Sequence, residues 1–208
     1  MALDDVFEIN TDRLRLRSWR EEDLPIWAEM NANPEVRRYF PGTQTPEQSA
    51  ESVERFQAFL VEHGFGPWAV ELTVPVSYEV DRRKRVLEPG TFIGSMALYP
   101  MPDVVPTLPD GTEVVWELGW RLRPEAWHQG FATEGASAMR DYAFGIERFK
   151  LVGSYTTAAN ASSRRVMERI GMRLALEFDN PNLPEHLRQC VVYTMTDGDW
   201  RNMHPNLD

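Results

Sequence analysis

The sequence predicts a single α/β domain built around a mixed β-sheet. Strand-like apolar segments and helix-like amphipathic segments follow one another along the chain in the order β-α-α-β-β-β-α-β-α-β-β. No linker and no internal repeat divides the 208 residues, a length that suits one domain. The content of hydrophobic residues (42%) and charged residues (26%) is that of a folded globular protein.

The first third of the chain is predicted to form one strand and two helices. Residues 13–17 read Arg-Leu-Arg-Leu-Arg, and this alternation is typical of a strand with one buried face. Asp23 is expected to be the N-cap of a short helix, which Asn33-Pro34 ends. The run Thr45-Pro-Glu-Gln48 predicts a second helix that begins with a capping box, and Gly64 is expected to end it.

The rest of the chain is predicted to alternate between strands and helices. The predicted strands span residues 67–74, 91–98, 113–121, 151–158, 172–178 and 189–195, and the predicted helices span roughly residues 130–148 and 161–170. Small residues, among them Ala132, Ala136 and Ala143, share one face of the first of these helices. We therefore expect that helix to lie close against the sheet.

Composition and charge limit the classes of function. The formal net charge of −10 argues against nucleic acid as a partner, and no apolar run is long enough to span a membrane. The first residues show no signal segment, and the single cysteine, Cys190, fits a reducing compartment, so we expect a cytoplasmic protein. Because two valines follow it, Cys190 is interpreted as a packed strand residue. His63, His186 and His204 show no metal-ligand spacing, and no metal site is expected.

Residues 116–135 carry the pattern with the most chemical content. A strand-like run is followed by a Pro-marked turn and by a loop with Gly130 that leads directly into a helix. A helix begun this way points free backbone N–H groups and the positive end of its dipole at one place, where a phosphate can bind. Gly130 can equally be a tight turn and nothing more. Glu117, on the strand before the loop, adds a carboxylate next to this region.

Four segments occur in an order and with spacings that resemble a known family. They are Thr11-Asp-Arg-Leu-Arg-Leu-Arg-Ser-Trp-Arg-Glu-Glu-Asp23, Glu117-Leu-Gly-Trp120, Trp127-His-Gln-Gly-Phe-Ala-Thr-Glu134 and Asn160-Ala-Ser-Ser-Arg-Arg-Val-Met-Glu-Arg-Ile-Gly171. Together they resemble the GNAT acyltransferases and, within them, the RimJ/RimL-like N-acetyltransferases. The resemblance implies a GNAT-type domain over residues 10–197, with a mixed, mostly antiparallel sheet flanked by helices, and a C-terminal tail over residues 198–208.

The resemblance also implies acetyl-CoA as co-substrate. In the family, a loop of the form Gln/Arg-x-x-Gly-x-Gly/Ala holds the pyrophosphate, and this sequence matches it at Gly130 and Ala132. It departs from the pattern at Trp127, where Gln or Arg is usual, and at His128, where relatives often have Gly. The residues that the resemblance assigns to acetyl-CoA are Leu122, His128, Gln129, Gly130, Phe131, Ala132, Thr133, Asn160 and Ser163.

Glu117 and Ser163 are the candidate catalytic residues. An alkyl ammonium has a pKa of about 10, so a base must remove its proton before the amine can attack a thioester. The resemblance gives this role to Glu117, and its apolar neighbours are expected to raise its pKa. Glu117 can instead be an ion-pair partner of Arg121 on the same sheet face. The resemblance places Ser163 where the departing thiolate is protonated, although Asn160 and Ser163 can also cap a helix.

The sequence therefore predicts an enzyme, an acetyl-CoA-dependent N-acetyltransferase. It would transfer an acetyl group directly to a primary amine of a protein N-terminus or of a small molecule. The alternative is a non-catalytic acyl-CoA-binding module of the same fold, whereas a nucleotide-binding domain is disfavoured because neither glycine-rich nucleotide motif is present. The identity of the acceptor is left open, although Asp179 and Glu185, in a loop expected to border its site, suit a cationic amine. A homodimer is also left open.

Overall fold

The computed structural model describes residues 6–80 and 82–205. Its strands are β1 (Ile9–Asn10), β2 (Leu14–Arg17), β3 (Pro67–Leu72), β4 (Val76–Val80), β5 (Arg83–Leu87), β6 (Phe92–Pro100), β7 (Trp116–Leu122), β8 (Leu151–Thr157), β9 (Arg173–Asp179) and β10 (Gln189–Thr196). Its α-helices are α1 (Leu24–Ala32), α2 (Pro46–His63), α3 (Phe131–Gly145), α4 (Ala161–Arg169) and α5 (Asp197–Met203).

Eight strands form one sheet in the order β1-β2-β3-β6-β7-β8-β10-β9. Neighbouring strands pair antiparallel, except for β7 and β8, which are parallel. The parallel step is required because α3 connects these two strands as a crossover. The prediction of a mixed, mostly antiparallel sheet flanked by helices is therefore confirmed.

Helix α3 covers one face of the sheet at very close range. A Cβ atom added to Gly135 would lie 2.0 Å from the sulfur of Met96 on β6, so any larger residue would push the helix away. The prediction that small residues let this helix approach the sheet is confirmed. The helix ends at Gly145, three residues before the predicted end at residue 148.

Helices α1 and α2 lie against the opposite face of the sheet. Trp27 on α1 and Phe56 on α2 provide contacts on this side. Their rings pack against Trp19, just after β2, at centroid distances of 5.1 and 5.8 Å. The predicted start of α2 is confirmed, because the Thr45 hydroxyl accepts from the N–H of Gln48 and the Gln48 side chain accepts from the N–H of Thr45. Gly64 ends the helix in the left-handed conformation, with φ of 77°.

Three features differ from the sequence prediction. The connection between β3 and β6 contains a separate hairpin of β4 and β5, and β7 begins at Trp116 rather than at residue 113. Asp23 does not cap α1 with its side chain, which instead pairs with Arg17. The segment assigned to a C-terminal tail begins with α5, whose Trp200 is buried and donates from its indole to Asp141 on α3. None of the described helices is long and apolar enough to cross a membrane.

Candidate active site

The first turn of α3 has the backbone geometry of an anion site. Gly130 is the N-cap in the left-handed conformation, with φ of 84°. The N–H groups of Phe131, Ala132 and Thr133 have no acceptor within the helix, and the N–H of Glu134 is the first to find one, the carbonyl of Gly130. Three free donors and the positive end of a four-turn helix therefore converge just after Gly130.

The loop before α3 is strained at one residue. His128 has a φ of 60°, a region that costs a side-chain-bearing residue about 1–2 kcal/mol relative to right-handed backbone. This is the position where GNAT relatives often carry Gly. The backbone therefore has the shape expected for that family loop, although the residue is a histidine. The His128 side chain is exposed.

Arg13 braces the same loop, a role that the sequence analysis did not find. Its guanidinium donates to the carbonyl of Gln129 at 3.0 Å and to the carboxylate of Glu134 at 2.7 Å, and it lies 4.5 Å from the centre of the Phe131 ring. Arg13 and Glu134 are 121 positions apart in the chain, so no local pattern could have paired them. A Cβ on Gly130 would lie 3.4 Å from this guanidinium. Arg13 thus fixes the loop from one side.

Strands β7 and β8 separate from each other beside this loop. Their parallel pairing is limited to one position, Glu117 with Gly153, whereas β8 and β10 pair at seven positions. The carboxyl-terminal half of β7, up to Leu122, therefore has no strand partner on that side. Because the two strands are parallel, the helices that follow them, α3 and α4, begin at the same end of this gap.

Glu117 lies at the position where β7 pairs with β8. It is half-buried, opposite Tyr99 on β6, and an oxygen of its carboxylate lies over Gly119 on the same face. Burial raises the pKa of Glu117 to about 8, which confirms the expected direction. Tyr155 on β8 faces the same region, since burial and the charge of Glu117 raise the pKa of its hydroxyl. Tyr155 is thus a half-buried neighbour of Glu117 and not a core residue.

The alternative role of Glu117, an ion pair with Arg121, does not occur. The Arg121 guanidinium donates instead to the side-chain oxygen of Asn31 at 2.6 Å and lies over the rings of Trp27 and Phe40. No ion pair involving Glu117 is present among the described residues. Glu117 therefore lacks the neighbouring cation that would keep it ionised.

Asn160 and Ser163 lie at the start of α4, on the other side of the gap. The Asn160 side chain accepts from the backbone N–H of Ser163 at 3.2 Å and donates to the hydroxyl of Thr156 at 3.0 Å, so it is the N-cap. The Ser163 hydroxyl is half-exposed and has no hydrogen-bond partner within the described part of the chain. This leaves Ser163 able to donate to a ligand.

The remaining predicted cofactor residues contribute in different ways. Phe131 is buried, and Leu122 is buried with its carbonyl accepting from the indole of Trp127 at 2.8 Å. Gln129 donates its side-chain amide to Ser77 on the β4–β5 hairpin. These side chains hold the loop in place. A ligand would therefore contact these residues through their backbone atoms. Cys190 is buried in β10, as expected for a packed strand residue, and burial raises its pKa to about 11.

Sequence comparison identifies the family. Residues 13–173 match the family described as "Acetyltransferase (GNAT) domain". The chain is 27% identical over 175 residues to the uncharacterized protein YkkB of Bacillus subtilis, covering 84% of this chain and 90% of the relative. It is 32% identical over 117 residues to FsC-acetyl coenzyme A-N(2)-transacetylase of Aspergillus fumigatus, covering 55% of this chain and 49% of that enzyme.

Solved structures share the fold. A GNAT acetyltransferase from Bacillus anthracis superposes with a TM-score of 0.69 at 21% identity, covering 92% of this chain and 99% of that one. Spermidine N-acetyltransferase from Vibrio cholerae, solved with CoA and spermine, superposes with a TM-score of 0.64 at 16% identity, covering 91% and 99%. The chain therefore belongs to the GNAT acetyltransferase family, whose co-substrate is acetyl-CoA.

Proposed function

We propose that this protein is a cytoplasmic, RimJ/RimL-like N-acetyltransferase that moves the acetyl group of acetyl-CoA directly to a primary amine. The observation that carries the proposal is the position of Glu117. It is a half-buried carboxylate with a pKa of about 8, at the end of the gap between β7 and β8. A base with a pKa close to the working pH is matched to removing a proton from an amine.

Acetyl-CoA supplies an acetyl group already activated as a thioester. The backbone N–H groups of residues 131–133 would hold its pyrophosphate, and Gly130 gives them an unobstructed approach. The free edge of β7 offers backbone donors and acceptors to the extended arm of the co-substrate. Asn160 and Ser163 border that arm from the start of α4.

The residues of this chain would then perform two proton transfers. Glu117, in its ionised form, accepts the proton of the acceptor ammonium, either directly or through a water molecule. Ser163, whose hydroxyl is otherwise unbonded, passes its proton to the leaving sulfur and takes up the second proton that the amine nitrogen loses as the amide forms. Holding the two reactants side by side removes the entropy cost of their encounter, which contributes up to about 7–11 kcal/mol in well-oriented cases.

The alternative, a non-catalytic acyl-CoA-binding module, makes the same prediction for binding but not for turnover. Saturating acetyl-CoA should raise the Tm of the protein, because ligand at roughly 100 times its Kd adds about 2.7 kcal/mol of stability. Release of free thiol from acetyl-CoA in the presence of a panel of primary amines separates the two functions. Thiol release that depends on one class of amine supports the enzyme, and binding without release for every amine supports the module.

Two glycine variants test the anion site. Gly130→Asp would place a carboxylate against the pyrophosphate and obstruct its approach, so binding of CoA in a calorimetric titration should be abolished. Gly111→Asp is the matched control, because Gly111 has nearly the same backbone, with φ of 85°, and lies in a distant turn with open space around it. Both variants add one negative charge at a glycine of positive φ, although a Cβ at Gly130 would also lie 3.4 Å from the Arg13 guanidinium. Unchanged CoA affinity in a folded Gly130→Asp variant would contradict the assignment.

A further inference from the structure

Arg121 is a half-buried cation that the fold does not neutralise. Its Nε atom is buried and has no hydrogen-bond partner, one of two such side-chain atoms among the described residues. Its guanidinium makes one hydrogen bond, to the neutral side chain of Asn31. Burial and the nearby charge of Arg37 lower its pKa to about 9. A guanidinium in this state retains unused donors, and an oxyanion is the group that would satisfy them.

A second arginine, Arg37, faces the same place. It is 8% exposed, its Nε donates to the carbonyl of Gly42, and its guanidinium lies over the ring of Phe40 at 4.8 Å. Arg121 lies over the other part of this aromatic floor, 4.3 Å from Phe40 and 5.0 Å from Trp27. Neither arginine has an Asp or Glu within ion-pair distance among the described residues. In a chain with a net charge of −10, two unpaired arginines in one place call for an explanation.

The space between Arg121 and Glu117 is lined by small residues. The two side chains are on the same face of β7, four positions apart, so their Cα atoms are separated by about 13 Å. Gly119 lies midway, and Ala97 is its partner on β6. A Cβ added to Gly119 would still be 3.8 Å from the Glu117 carboxylate and 4.0 Å from Ala97, so this strip of the sheet has room above it. It faces α1 and α2, on the side of the sheet away from α3.

We propose that Arg121, assisted by Arg37, is a specificity site for an oxyanion of the acceptor, so that the acceptor is an amine bearing a carboxylate or a phosphate. The inference rests on the proposed N-acetyltransferase function, in which Glu117 receives the amine end of the same molecule. The amine lies at Glu117, the carbon skeleton crosses Gly119, and the anion reaches Arg121. The strip then explains why Glu117 and Arg121 remain apart rather than forming an ion pair. Asp179, one of the two loop carboxylates that suggested a cationic acceptor, accepts a hydrogen bond from Gln189 on β10.

A purely structural role for Arg121 makes a different thermodynamic prediction. Removing one partner of a satisfied buried ion pair is strongly destabilising, because it leaves an uncompensated charge. Arg121→Met breaks no ion pair and leaves only the buried oxygen of Asn31 without its donor, which costs less, so the fall in Tm should be clearly smaller than for a broken ion pair. A loss of Tm as large as that of a broken ion pair would mean that the contact with Asn31 is what keeps this arginine in the fold.

The test uses matched amines and the full-length enzyme. The anionic probes are γ-aminobutyrate and ε-aminocaproate, with aminopropylphosphonate as the probe that resembles a phosphate. The neutral and cationic counterparts are the amino alcohols and the diamines of the same chain lengths. We expect the wild type to prefer an anionic amine over its neutral counterpart in kcat/KM. Arg121→Met should lose roughly 10- to 100-fold of that preference, the factor expected for hydrogen bonds to a charged group. Arg121→Lys keeps the positive charge but loses the planar, bidentate donor geometry of the guanidinium, so this variant should retain part of the preference.

Controls separate this inference from the proposed function. Arg15→Gln, which changes an exposed arginine paired with Glu8, should leave the preference intact. If acetyl-CoA does not bind at all, the proposed function fails. If acetyl-CoA binds and the wild type shows no preference for anionic amines, in turnover or in calorimetric binding to the CoA complex, this inference alone fails. It also fails if Arg121→Met keeps the preference, or if that variant loses affinity for acetyl-CoA rather than for the amine.

Discussion

Two groups of charged residues lie on the same sheet, one buried and one half-buried, and they differ in their pairing. In the group at β2 and β3, Arg17 is 1% exposed and donates to Asp23 at 2.7 and 2.9 Å and to Glu71 at 2.7 Å. Burial alone would lower the pKa of Arg17, but the hydrogen bonds and charges of the two carboxylates raise it. In the group on β7, Glu117 and Arg121 have no counter-charge, and the pKa of each moves toward its neutral form.

The difference separates charges that serve the fold from charges that serve a ligand. A fold can keep a buried charge at low cost by enclosing a partner with it, as it does for Arg17. An unpaired buried charge costs stability, and proteins retain such strain at functional sites. The β7 group also lies where β7 separates from β8, on the strand that leads to α3. The pairing of charges thus distinguishes the structural end of the sheet from the candidate active site.

The largest expected effect is on turnover when Glu117 is replaced. Glu117→Gln keeps the shape but cannot accept a proton, so kcat should fall about 10²- to 10⁴-fold while acetyl-CoA affinity is nearly unchanged. Since the ionised carboxylate is the active form, the wild-type rate should rise with pH toward a pKa of about 8, and this limb should be absent in the variant. Glu113→Gln, an exposed carboxylate just before β7, is the control. Full activity with an unaltered pH profile in Glu117→Gln would assign the proton to another acceptor.

The next effect is on stability at the paired group. Arg17→Met leaves Asp23 buried without a cation and leaves Glu71 with only the partly exposed Arg20 and Arg15, so it should cost about 3–5 kcal/mol of unfolding free energy. In thermal denaturation this is a fall in Tm of roughly 6–20 °C for a domain of this size. Combining it with Asp23→Asn and Glu71→Gln should recover part of the loss, since no uncompensated charge then remains. A loss no larger than that of Arg121→Met would erase the distinction between the two groups.

A smaller effect concerns the dependence of stability on pH. The pKa of Glu117 is about 8 in the folded protein and 4.5 without burial, so between these values the folded state holds a proton that the unfolded state has released. The contribution of Glu117 is therefore complete below about pH 4.5 and is lost as the pH rises through about 8. The difference in Tm between Glu117→Gln and the wild type should widen, in favour of the variant, from pH 5 to pH 8. A constant difference would show that Glu117 is not desolvated.

The smallest effect is at the loop. His128→Gly removes the cost of a left-handed side-chain-bearing residue but adds backbone freedom to the unfolded chain, so the net gain should be about 1 kcal/mol or less. Arg148→Gly, at φ of 58° and away from the site, should give a similar gain. Calorimetric titration should show unchanged CoA affinity for His128→Gly, because the anion site uses backbone donors. Weaker binding would instead assign the imidazole a direct contact.

Local features of the site could be predicted from sequence, because short-range chemistry decides them. The positive φ at Gly130, the cap formed by Asn160 and the raised pKa of Glu117 each follow from a few neighbouring residues. Asp23 is the N-cap residue of α1, as predicted, but its carboxylate bonds to Arg17 instead of the first turn of the helix, and this contact depends on how β2 and the turn before α1 pack together. The strands β4 and β5 were missed because they are short and largely exposed, although Val76, Tyr78 and Val80 alternate with polar residues in β4.

The sequence by itself determined the order of elements, the ends of α2 and the loop that leads into α3, since caps, glycines and hydrophobic period act within a few residues. Only the tertiary structure decided which arginines are paired. Arg17 and Arg121 both lie on strands in which polar and apolar residues alternate. The Arg17 side chain donates a hydrogen bond to Glu71, 54 positions away, whereas the Arg121 side chain donates to neutral Asn31, 90 positions away. Such contacts depend on strand order and helix placement, which no local pattern encodes.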